Sequence, residues 1–180
     1  DAKQAEWTLP SASCPEYVVA YSDALGYYRV QYSAPLAKAI KDRGFGNPKQ
    51  SILSETERIA FLGDQAALMR IGKAAAEEVL QLATLAAKDE SRHVLGTATG
   101  VFAGVEQFVP DGLRPQYQKR IIATFGARQK QLGLVAKPQD DDNTKMMRGT
   151  LARLVGGEGA DKGVVAEATQ LTKKWLASRS

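Results

Sequence analysis

The sequence predicts a mainly α protein, an α-solenoid of the HEAT or armadillo kind, with a short β-hairpin in front of it. Three observations predict this. From Ala34 onward the apolar residues recur at helical spacing, and Gly or Pro separates one stretch from the next. Before Ala34 the chain is rich in aromatic and β-branched residues, with turn signals at short intervals. No fixed period aligns glycines or tryptophans between successive stretches, which favours a degenerate HEAT-like array over tetratricopeptide or ankyrin repeats.

The hairpin is expected from residues 16–21 (EYVVAY), a turn at 22–25, and residues 26–32 (GYYRVQY). In the second run Tyr28, Val30 and Tyr32 share one face, with Tyr27, Arg29 and Gln31 on the other. Two such strands do not fold alone, so the hairpin should lean on the helices or on a second copy of the chain.

Helical elements follow in order. Residues 35–43 carry Pro at the favoured first position and stop at Gly44. Ser54 with Glu57 three residues on is a capping box for a helix whose face holds Ile59, Leu62, Ala66 and Met69, ending near Gly72. Helices are expected over 74–87, over 91–108 before Pro110, and over 114–134, the last with Arg114, Lys119, Arg120, Arg128 and Lys130 as its basic side. Residues 140–143 (DDDN) should cap a sixth helix running to Leu154. Residues 156–159 (GGEG) read as a linker to a last helix over 161–177.

Composition narrows the function. A chain of 180 residues with 44% hydrophobic content can bury a core without staples. A single cysteine, Cys14, excludes an internal disulfide. The net charge of +4 comes from 24 basic residues scattered among 20 acidic ones, which describes a solvated surface better than a nucleic-acid footprint. No run of about 18 apolar residues offers a membrane span, so a soluble chain is expected, of a cytoplasmic or an exported protein. The start at Asp1 reads as a cut within a longer polypeptide.

No catalytic constellation is legible. Hydrolytic zinc chemistry needs two imidazoles one helical turn apart with a carboxylate between them, and this chain has one histidine, His93. The run Asp140, Asp141, Asp142 lacks the alternating ligands and glycine of a calcium loop and sits where a helix begins. Gly156 to Gly159 has neither a preceding strand nor a following Gly-Lys-Ser/Thr, and no serine lies in a Gly-x-Ser-x-Gly elbow. No catalytic or metal-ligating residue is therefore assigned.

Several segments, taken in order, resemble the C-terminal region of the M1 family of zinc aminopeptidases, the group that includes puromycin-sensitive and endoplasmic-reticulum aminopeptidases. Trp7-Thr8-Leu9-Pro10 resembles the family's tryptophan-to-proline strand, and Gly26-Tyr27-Tyr28-Arg29-Val30 with Tyr32 its GYYRV-x-Y segment. Arg58, Asp64, Leu68 and Gly72 match its first helical pattern. Leu132-Gly133-Leu134, Met147-Arg148, Leu151, Ala168 and Trp175-Leu176 resemble its closing helices. Two positions depart from the pattern, Leu134 where a tryptophan is usual and Ser33 where an aspartate is frequent.

The resemblance implies that residues 1–33 close a β-sandwich domain and residues 34–180 form the C-terminal helical domain. It implies a parent enzyme whose separate catalytic domain binds zinc through H-E-x-x-H and a distant glutamate, motifs absent here. The chain would then be a non-catalytic lid and wall of the substrate cavity, inactive alone. Its partners would be the catalytic and β-sandwich domains and peptide substrates, and the N-terminal strands could pair two copies. Arg148 is a basic residue inside the segment that matches the closing helices and reads either as a structural ion pair or as a contact with the peptide carboxylate. Arg58 and Asp64, six apart, fall on different sides of one helix and should pair with neighbouring elements. The alternatives are a stand-alone helical-repeat module that binds a protein or peptide, and a nucleic-acid binder using the basic helix.

Overall fold

The computed structural model describes residues 6, 8, 10 and 13–179. The strand expectation for Trp7 and Leu9 lies outside them. The described residues form helices α1 (Ala34–Gly44), α2 (Glu55–Arg70), α3 (Ala76–Ala86), α4 (Arg92–Val105), α5 (Arg114–Leu132), α6 (Asp142–Arg153) and α7 (Lys162–Ala177). Three short 3-10 turns and one π-helical turn join them.

Local chemistry sets the ends. Ser54 caps α2 by accepting from the Glu57 amide while the Glu57 carboxylate accepts from the Ser54 amide, so the capping box is complete. Ser91, Asp141 and Asp161 cap α4, α6 and α7 by accepting from first-turn amides. The long α5 stops at Gly133, whose φ of +70° lies in the left-handed region where a Cβ is disfavoured.

Helix α4 is the centre of the molecule, packing against α2, α3 and α6. Its sequence, RHVLGTATGVFAGV, buries Val94, Leu95, Ala98, Val101 and Phe102 and leaves its glycines outward. Phe102 meets Phe125 of α5 edge to face at 5.1 Å between ring centroids. The Tyr117 hydroxyl donates to the Phe102 carbonyl at 2.7 Å. Phe61, Leu62, Ile121 and Leu151 complete a core in which each large apolar side chain contributes about 1.5–3 kcal/mol. The last helix is loosely held: α7 buries only Val164, and Val165, Trp175 and Leu176 stand exposed.

The expected hairpin is not there: residues 16–21 and 26–32 are not strands, and no strand occurs among the described residues. The turn itself forms, with the Leu25 amide donating to the Ser22 carbonyl and Asp23 and Ala24 at φ +50° and +56°. The backbone groups a ladder would use are taken by side chains instead. Tyr32 Oη accepts from the Ala20 amide at 3.0 Å, and Tyr28 Oη donates to the Ala20 carbonyl at 2.8 Å. The amide of Val30 donates to Asp64 Oδ2 at 2.9 Å, and that of Asp23 to Glu57 Oε1 at 3.1 Å. Tyr32 rests on Phe61 with centroids 5.8 Å apart. The β propensity of this segment had no third strand to act on, so α2 captures it through Glu57, Phe61 and Asp64.

A second correction concerns residues 156–159. Rather than a linker, Leu154–Glu158 continues α6 as a π-helical turn. Glycine permits it because a Cβ at Gly159 would lie 2.7 Å from the Val155 carbonyl oxygen and 2.9 Å from Ile121, and one at Gly156 would lie 2.9 Å from Val164.

Candidate functional site

Arg148, the residue singled out in the sequence, is 4% exposed. Its Nε donates to the Leu132 carbonyl at 3.1 Å and its Nη2 pairs with Asp140, which also accepts from the Lys137 amide. Arg148 thus clasps the loop that leaves α5 onto α6. The Lys137 amide first, and the guanidinium beside it, hold the Asp140 carboxyl below its ordinary range. One nitrogen, Nη1, is buried without a hydrogen-bond partner.

A larger polar knot lies under the α3–α4 turn. Arg58 Nε donates to Asp89 Oδ2 at 2.8 Å, with both side chains less than 10% exposed, and Arg58 Nη1 donates to the Leu53 carbonyl. Asp89 Oδ1 accepts from the Ser91 amide. From α5, Arg128 donates to the carbonyls of Ala87 and Asp89. Burial pushes the Arg128 guanidinium below its ordinary value. Arg58 and Asp64 indeed find partners on other elements, Asp89 and the Arg29–Val30 segment. Asp89 carries no signal in the sequence beyond its place before a helix cap. Arg128 is turned inward to the carbonyl end of α3 rather than lying on an outer basic side.

Open space lies elsewhere. Two cavities of about 350 and 240 Å³ share Gly96 and Thr150 and so form one trough between α4 and α6. Met146, Met147 and Arg92 line one end, and Arg153, Leu154 and Glu158 the other. His93 is exposed at the rim. Burial and the nearby Glu158 carboxylate push the Tyr117 hydroxyl up to about 12. Arg148 lines none of these spaces. A further cavity of about 440 Å³ lies between α6 and α7.

Among the described residues no three of His, Cys, Asp and Glu gather closely enough to hold a metal ion. The described residues therefore offer no cluster that fits zinc. Among the described residues no helix is long and apolar enough to cross a membrane.

Residues 17–180 match the family model described as the ERAP1-like C-terminal domain. A puromycin-sensitive aminopeptidase of Caenorhabditis elegans is 24% identical over 178 residues, covering 97% of this chain and 18% of the relative. The chain therefore spans less than a fifth of the length of that relative. No solved structure matches. With all of its described helices inside the matched span, the chain belongs to the ERAP1-like C-terminal domain family.

Proposed function

We propose that this chain is the non-catalytic C-terminal domain of an M1 zinc aminopeptidase, an enzyme that removes N-terminal residues from peptides. The observation that carries the reading is the span of the family match, residues 17–180, joined to a relative named as an aminopeptidase. In this reading the helices are part of an α-solenoid that forms the lid and wall of a substrate cavity, a role suited to a curved array with side chains presented over a long span. Zinc belongs to a separate catalytic domain of the parent, which this chain's residues do not supply. The partners are the catalytic and β-sandwich domains of the same polypeptide, with residues 1–33 as the link to the latter.

Arg148 is committed to its clasp on Asp140, so a contact with a peptide carboxylate would require that clasp to open. The polar knot of Arg58, Asp89 and Arg128 supports the domain rather than any chemistry, since each group is engaged by a protein partner.

The test uses the parent polypeptide, expressed with and without residues 34–180, and follows release of the N-terminal residue from peptides of different lengths. The reading expects activity in the parent, none in the isolated chain, and a changed length preference when the domain is removed. Unaltered length preference after removal would refute the lid role. Absence of aminopeptidase activity in the intact parent would refute the assignment.

A further inference from the structure

We infer that Met147 is a site of oxidation by peroxide whose sulfoxide is held by Arg128, so that the modification tightens α6 onto the polar knot. The inference goes beyond the reading above, because it concerns a modification of this chain itself and holds whatever the parent catalyses.

Two observations carry it. The first is an arginine nitrogen that lacks an oxygen acceptor. Arg128 Nη1 donates to the carbonyls of Ala87 and Asp89, whereas among the described residues Nη2 reaches only Met147 Sδ, at 3.3 Å. A thioether sulfur is a weak acceptor, and the arginine is partly buried, so Nη2 is left with little in place of the water it gave up. Of the three methionines, Met69, Met146 and Met147, only Met147 has such a donor on its sulfur among the described residues. The second observation is access. Met147 is half-buried and lines the cavity of about 350 Å³ between α4 and α6, beside the exposed His93, so a small oxidant can reach the side chain from that space.

The oxidant is hydrogen peroxide. The sulfur lone pair turned away from Arg128 attacks one peroxide oxygen, and the O–O bond breaks. That oxygen stays on sulfur, and the other leaves as water with both peroxide protons. Sulfur gives up two electrons and the peroxide accepts them, and a methionine sulfoxide reductase restores the thioether. The new oxygen is a strong acceptor on a side chain with three rotatable bonds, so it can turn to Nη2. A charge-assisted N–H···O bond then replaces a weak N–H···S contact. A sulfoxide ordinarily disrupts the packing around it. Here a guanidinium donor already stands at the sulfur. Arg128 belongs to α5 and grips the carbonyl end of α3, while Asp89 pairs with Arg58 of α2, so the oxidised Met147 ties α6 to the same knot.

The experiment treats the folded 180-residue chain with hydrogen peroxide in a Met146→Leu background, which removes the more exposed competitor by a well-tolerated swap. Peptide mass mapping locates the added oxygen, and thermal unfolding is recorded before oxidation, after it and after treatment with the reductase. The inference expects Met147 to gain one oxygen before Met69 does. Tm should then rise by about 2–4 °C, as one added hydrogen bond to a charged group would give, and return on reduction. In Arg128→Gln the same oxidation should lower Tm, because the sulfoxide has lost its donor. Should that variant fold poorly, Met147→Gln replaces the comparison. Its amide oxygen stands in for the sulfoxide oxygen, so it should unfold about 2–4 °C above Met147→Leu. Oxidation of Met69 ahead of Met147, a fall in Tm once Met147 is oxidised, the same shift with and without Arg128, or Met147→Gln unfolding below Met147→Leu would each overturn the inference.

Discussion

The ion pair between Arg58 and Asp89 makes the sharpest demand on the fold. Both side chains are under 10% exposed, so Arg58→Ala leaves the Asp89 carboxylate buried with the Ser91 amide as its remaining hydrogen-bond donor and the Arg128 guanidinium nearby. Removing one member of such a pair costs about 3–5 kcal/mol, because the orphaned charge keeps its desolvation penalty. In a domain of this size about 1 kcal/mol moves Tm by roughly 2–4 °C, so a fall on the order of 10 °C is expected. The Leu53 carbonyl loses its donor as well, which adds to the loss. By contrast, Arg43→Ala breaks an ion pair with Glu16 in which both side chains are at least half exposed, and should cost under about 1 kcal/mol. Thermal and urea unfolding of the two variants, with Arg58→Met plus Asp89→Leu as a third, make the assay. The double apolar variant should recover much of the loss, since both charges are gone. If Arg58→Ala unfolds within 1 kcal/mol of the unmodified chain, the pair is not the buried strut described above.

Four further outcomes follow from local geometry. Ala160 sits at φ +50°, so Ala160→Gly should stabilise the chain by about 1 kcal/mol, read as a higher Tm. Gly159→Ala should destabilise by about 1–3 kcal/mol, because its methyl would press on the Val155 carbonyl and Ile121. Asp64→Asn should loosen the contact at Arg29 and Val30, and limited proteolysis near the exposed Leu25 and Tyr27 should then speed up while the helices stay protected. The Asp140 carboxyl titrates lower in the folded chain than in the unfolded one, so its contribution is present above an unfolded pKa of about 3.9 and lost as pH falls through the folded value. Tm measured from pH 6 down to pH 2.5 should therefore fall less steeply in Asp140→Asn than in the unmodified chain.

What was legible in the sequence is what short-range chemistry dictates. The Ser54–Glu57 box and the acidic cap of α6 at Asp141 each involve residues within a turn of one another, and each appears in the structure where the spacing places it, whereas α5 stops at Leu132 before Gly133 instead of running to 134. The switch to helical periodicity at Ala34 is equally local. Partners far apart in the chain were not legible. Asp89 is 31 residues from Arg58, and nothing near it announces a buried anion. Arg128 has the same helical spacing as its exposed basic neighbours, yet a neighbouring helix end draws it inward. The tyrosines of residues 26–32 misled in the other direction, because β propensity reports fit to a pleated neighbour and α2 offered none. The π-helical turn escaped notice because Gly156 and Gly159 read as punctuation, whereas their role is to admit Val164 and Ile121 at short range.

The family assignment leaves one statement to test above all others, that the chain is the helical cap of a zinc peptidase. The measurement is to determine the coding sequence upstream of Asp1 and search it for H-E-x-x-H followed by a more distant glutamate. The account predicts both, within the same open reading frame. An initiator methionine close to Asp1, with neither motif before it, would contradict the account and leave a helical module that binds peptides on its own.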